Sequence, residues 1–129
     1  MMERRPVNPW TWQEQRFTHA WRVDGAESVV YVAGQGPVSD DGSLVGEGDF
    51  DAQARATIEN VHTVLEHAGA DLSSVVKLTV YLTDIARLRD YGRIRAELMP
   101  GTPPASTAVE VGALAIPGML IEIDAIAVV

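Results

Sequence analysis

The sequence predicts an α+β domain, a mixed β-sheet with two helices on one face. Three stretches carry that prediction. Ala54, Ile58, Val61, Leu65 and Ala68 recur at spacings of four, three, four and three, which lines them up as one apolar stripe on a helix. Val75 to Leu82 alternates instead, with Val76, Leu78, Val80 and Leu82 on one face and Lys77, Thr79 and Tyr81 on the other, the period of a strand. In the last run, Ile121, Ile123, Ala125, Ala127 and Val129 form an apolar face that must be buried, while Leu120, Glu122, Asp124 and Ile126 share the opposite face. A strand anchored in a sheet thus carries two carboxylates.

In chain order, Pro6 to Trp12 holds two prolines that favour an extended or turn conformation, and Trp10 and Trp12 are expected to pack on the body or across a subunit contact. Phe17 to Val23, the turn signal Asp24-Gly25, and Ser28 to Ala33 read as two strands of a hairpin. Gly34-Gln35-Gly36-Pro37 ends the second strand. It matches neither GxGxxG nor GxxxxGK[ST], leaving a plain turn or a ligand-lining loop. Ser39 to Gly48 is a surface turn. Asp49 caps the first helix and Gly69 closes it. His62 and Glu66, four apart, read as an i,i+4 pair in preference to a metal site. Asp84 caps a second helix through Leu88, Tyr91, Ile94 and Leu98, ended by Pro100-Gly101. Pro103-Pro104 leads into a strand with Ser106, Ala108 and Glu110 on one face. No repeat or linker interrupts residues 1–129, which read as one domain.

Composition narrows the function. No cysteine occurs, so thiol catalysis and cysteine metal sites are excluded, and a reducing compartment fits. The formal net charge of −8, with ten Lys and Arg scattered along the chain, disfavours nucleic acid. No apolar stretch of about 18 residues suggests a membrane span, and no signal segment is seen, so the cytoplasm is the expected location. No cofactor or metal is called for.

Several stretches together resemble the YjgF/RidA (Rid, reactive-intermediate deaminase) family: Tyr31-Val32-Ala33-Gly34-Gln35-Gly36-Pro37, Gln53-Ala54-Arg55 with Glu59-Asn60-Val61, Val76 to Asp84, Pro104 to Val111, and Ile121 to Ala127. The resemblance implies a chorismate mutase-like/YjgF fold with a six-stranded mixed sheet. It also implies a homotrimer whose sheets pack around an axis, with a cleft between each pair of subunits. Family members with demonstrated chemistry hydrolyse enamines or imines of amino acids to 2-keto acids and ammonia. An arginine there clamps the substrate carboxylate, and a glutamate on the last strand positions the water.

Carried over residue by residue, that glutamate is Glu122, and the expected cleft is lined by Phe17, Ala33, Gly34, Gln35, Gly92, Ser106 and Ala108. The arginine position holds Ser106, the family's cysteine is Ala108, its serine Ala33 and its helix asparagine Gly92. A serine hydroxyl does not reproduce the bidentate, charge-assisted grip of a guanidinium on a carboxylate. Burial among Leu120, Ile121 and Ile123 would equip Glu122 as a general base; the other reading is a structural carboxylate. Arg16, Arg22, Lys77 and Arg89 are the cations that could replace the missing charge. Three functions follow: an imine or enamine hydrolase with altered substrate choice, a non-catalytic trimer binding a metabolite or partner, and, last, an endoribonuclease.

Overall fold

A computed structural model describes residues 1–129. Its strands are β1 (Glu3–Val7), β2 (Ala20–Asp24), β3 (Val29–Gln35), β4 (Val75–Leu82), β5 (Ala105–Glu110) and β6 (Ile121–Val128), with helices α1 (Phe50–His67) and α2 (Leu88–Leu98). One-turn 3-10 helices, Leu72–Ser74 and Ile85–Arg87, precede β4 and α2. All six strands are present, but not in one sheet. A four-stranded sheet in the order β3-β6-β4-β5 stands apart from a two-stranded ribbon of β1 and β2.

The expected hairpin between β2 and β3 therefore does not form, and the reason lies in the backbone donors. Glu27 N and Ser28 N, which would open that ladder, donate to Val129 O at 3.0 and 2.9 Å, and Val129 N returns a bond to Ser28 O at 3.1 Å. The C-terminus captures the outgoing limb of the turn. Left without that partner, β2 pairs antiparallel with β1, Pro6 opposite Trp21. Proline is acceptable there because a two-stranded ribbon is all edge. The ribbon docks through Arg4 Nη1, which donates to Ser73 O, and through Trp21 Nε1, which donates to Pro103 O.

In the main sheet, β6 is central, antiparallel to both β3 and β4, while β4 and β5 run parallel. The helix stripe holds for Ala54, Ile58, Val61 and Leu65, which are buried against Ile121, Ile123, Ala125 and Ala127 in a single core of 17 buried residues, whereas Ala68 is the exposed C-cap of α1. A register shift between Val75 and Lys77 turns Val75 into that core in place of Val76. Val32 of β3 also points into the core. Asp49 Oδ1 accepts from Ala52 N at 3.1 Å, and Gly69 takes φ +79°, so both ends of α1 close as expected. Asp84 caps the 3-10 turn instead of α2 itself, accepting from Ala86 N at 3.0 Å.

Two side chains of α1 fix the loops around the sheet. Gln53 is fully buried; its Nε2 donates to Gly46 O and Gly118 O and its Oε1 accepts from Leu120 N at 2.8 Å. Asn60 Nδ2 donates to Gly36 O at 2.8 Å and Val38 O at 2.9 Å. Together they hold the segment after β3 and the segment before β6, the two that flank the candidate site. Buried backbone oxygens in irregular segments need such partners, and here α1 supplies them.

Candidate functional site

Side-chain alternation sends Ile121, Ile123 and Ala125 of β6 towards the helices and leaves Glu122 and Asp124, both half-buried, on the uncovered face. Ile121 and Ile123, two of the three apolar neighbours expected around Glu122, accordingly point away from it. What Glu122 meets is β3. Between Val32, paired with Ala125, and Gln35, paired with Ile123, β3 carries one residue more than β6, a bulge at Ala33 and Gly34. Such a bulge re-aims the backbone locally. Here it brings Gly34 against the Glu122 side chain, so closely that a Cβ at position 34 would sit 2.8 Å from Cδ and from Oε2. β3 thus runs through Gly34 and Gln35 instead of stopping before them.

Glu122 takes part in none of the chain's ion pairs. Across the sheet it pairs in register with Tyr81, whose hydroxyl donates to Asp124 Oδ2 at 2.9 Å. That hydrogen bond, then burial and the negative charges of Asp124 and Glu122, raise the Tyr81 phenol above its ordinary pKa. Tyr81 stays a neutral donor and Asp124 is engaged. Glu122 is the carboxylate on this face left free to act on something else.

Of the other residues expected to line the cleft, Ala33 and Gln35 flank Gly34 on β3 and the rest lie elsewhere. Register pairs Ser106 with Leu78 and Ala108 with Val80, both core residues, so Ser106 and Ala108 face the helix side. Gly92 sits on α2 with open space beside its α-carbon. Gln35 is half-buried, its Nε2 donating to Ala33 O at 3.2 Å. Phe17 belongs to the loop between β1 and β2, where Trp10, Trp12 and Phe17 each stand edge-on to His19 with centroids 5.1 Å away. Trp10 and Trp12 are 59% and 61% exposed, so neither is absorbed by the body of this chain. Thr18 pins the loop to the lead-in of β5, with Oγ1 donating to Pro103 O at 2.6 Å and N to Pro104 O at 3.1 Å. One subunit therefore brings Glu122 and Gly34 together and keeps Ser106 and Ala108 on the far side of the sheet.

Of the cations named from the sequence, Arg16 donates to Gln13 O and Trp12 O within the loop, Arg22 pairs with Asp24 in the exposed ribbon, and Lys77 Nζ donates to Thr107 Oγ1 at 2.7 Å. Arg89 is exposed on α2. Sequence reasoning passed over Arg95. It is the only buried Lys or Arg, its guanidinium donating to Met99 O and Gln15 O at 3.3 Å each, and burial lowers its pKa. The signal available was its position four residues after Tyr91, on the buried stripe of α2. His62 and Glu66 form the expected pair, 3.6 Å apart. No helix of the chain is long and apolar enough to cross a membrane.

The family model described as Endoribonuclease L-PSP matches residues 12–129. The chain belongs to the YjgF/RidA family. Among relatives of this Rid chain, a RutC family protein of Pyrococcus abyssi is 40% identical over 100 residues, covering 78% of each chain. Protein DfrA of Myxococcus xanthus is 37% identical over 112 residues, covering 87% of this chain and 84% of that one. Among solved structures, the Rid family protein YyfB of Yersinia pestis superposes with a TM-score of 0.87 at 34% identity, covering 98% of both chains. RidA of the Antarctic bacterium Psychrobacter gives 0.74 at 29% identity, covering 96% of this chain and 93% of that one.

Proposed function

We propose that this protein is a Rid-type homotrimer that hydrolyses imines or enamines derived from amino acids, in clefts shared by neighbouring subunits. The observation that carries the reading is the unpaired Glu122 carboxylate lodged against Gly34. Water adds to the imine carbon while Glu122 takes its proton. Glu122 returns that proton to the nitrogen, giving a carbinolamine, and then carries the hydroxyl proton to the same nitrogen as the carbon–nitrogen bond breaks, so that ammonia leaves and a carbonyl remains. A positioned carboxylate serves such proton transfers at a cost the enzyme meets by geometry. The opposite orientations of Glu122 and Ser106 support a joint site, because the two residues meet only if one subunit supplies each.

Substrate choice follows from the small residues. With Ser106, Ala108 and Gly92 in place of larger polar groups, the cleft is wider and less cationic than that of the family's deaminases, which favours bulkier, less acidic imines. A second reading, a metabolite-binding trimer without catalysis, is favoured by the lack of a clamp at position 106. The endoribonuclease name carried by the family model and by some neighbours is the weakest reading, since a net charge of −8 repels a phosphate backbone. Ammonia release from imines generated across amino acids of different size and charge tests the choice. Turnover that rises with side-chain bulk supports the hydrolase; no turnover on any substrate, with saturable binding of 2-keto acids, supports the binding module.

A further inference from the structure

A groove of about 510 Å³ opens at the end of the sheet where β4 begins, within the range of about 300–1,000 Å³ that holds small ligands. The ribbon gives it Arg4 and Trp21, α1 gives His62, and the end of α2 gives Leu98 and Met99. Val75 lies in its floor, six residues before Tyr81, the register partner of Glu122, so about 20 Å of extended chain separates the groove from that carboxylate. It lies apart from Glu122, and its wall residue Pro104 comes two residues before Ser106.

Arg4 is held there without being neutralised. Its Nη1 donates to Ser73 O at 2.8 Å, its guanidinium lies 5.5 Å over the Trp21 ring, and Trp21 is fixed in turn by the bond from Nε1 to Pro103 O at 3.1 Å. It joins none of the chain's ion pairs. A stacked guanidinium with N–H groups left over beyond the bond to Ser73 O is arranged for a planar two-oxygen acceptor. Asp71, also on the wall, is spent as a cap, accepting from Ser73 N at 2.9 Å and from Ser73 Oγ. Its charge and the apolar floor work against a dianionic phosphate.

We propose that this groove is a second small-molecule site, taking a monocarboxylate with a single-ring or branched apolar body. The body lies against Leu98 and Met99, and the carboxylate meets Arg4. The proposal stands independently of the deaminase reading.

Phenylacetate, titrated into the full chain and followed by amide and indole NMR shifts, tests it. Saturable shifts at Trp21, Ser73 and Met99 are expected, with the neutral phenylacetamide at least tenfold weaker and Arg4→Gln weakening phenylacetate by a similar factor. Because Arg4→Gln also loosens the ribbon, Thr102→Trp, at an exposed position on the rim, provides a second variant that should block binding with Arg4 intact. Equal affinity for acid and amide, shifts confined to residues around Glu122, or binding indifferent to both variants would overturn the proposal.

Discussion

Gly34 and Glu122 touch so closely that no side chain fits between them: a Cβ at position 34 would lie 2.8 Å from the Glu122 carboxylate oxygen Oε2. The bulge in β3 makes that approach, and the absence of a Cβ permits it. The contact fixes the carboxylate from one side without a counter-ion, which is the arrangement a positioned base requires.

Gly34→Ala should therefore separate stability from activity. The atoms it would strike belong to a flexible side chain that swings aside, so the melting temperature should fall by only a few degrees. The displaced carboxylate should nevertheless cost turnover, because a shift of about 1 Å at a reacting group costs on the order of a hundredfold. Thermal melts and imine hydrolysis on the same sample check this; unaltered turnover would mean that the contact is incidental.

Ser106→Arg would place a guanidinium, able to grip a carboxylate through two hydrogen bonds, at a position proposed to line the cleft. A joint cleft predicts at least tenfold tighter binding of a small 2-keto acid such as pyruvate, a conservative share of the roughly 2–5 kcal/mol attached to a desolvated charge pair. Calorimetry reads it. No gain would place position 106 outside the cleft.

Tyr91→Phe should stabilise the fold. The Tyr91 hydroxyl is buried with no hydrogen-bond partner, and burial pushes its phenol pKa far upward. Removing an unsatisfied buried hydroxyl returns its desolvation cost, about 1 kcal/mol. Urea midpoints measure the change; destabilisation would reveal a partner for that oxygen.

Much of the fold was legible because its periodicities are strong. The α1 stripe, the alternation of β4 and the apolar back of β6 each follow from a single burial direction. Gln53 was not legible: a glutamine beside an apolar stripe looks solvent-facing until the oxygens of Gly46 and Gly118 are seen to need donors. The ribbon was not legible because Glu3-Arg4-Arg5-Pro6 lacks strand alternation, and β2 looked committed to β3 until the C-terminus took its donors. At the candidate site, a carboxylate on a sheet strand singled out Glu122 and the family resemblance added Gly34, but the bulge that joins them is a backbone event without a side-chain signature. The separation of Ser106 from Glu122 depends on strand register, which periodicity within each strand does not fix.

The most direct measurement is ammonia release by wild type and Glu122→Gln, with mass and oligomeric state determined by light scattering on the same preparations. Glutamine keeps the shape and removes the base. The proposed function predicts an unchanged trimer and hydrolysis reduced by at least a hundredfold; a Glu122→Gln trimer that turns over as fast as wild type would contradict it.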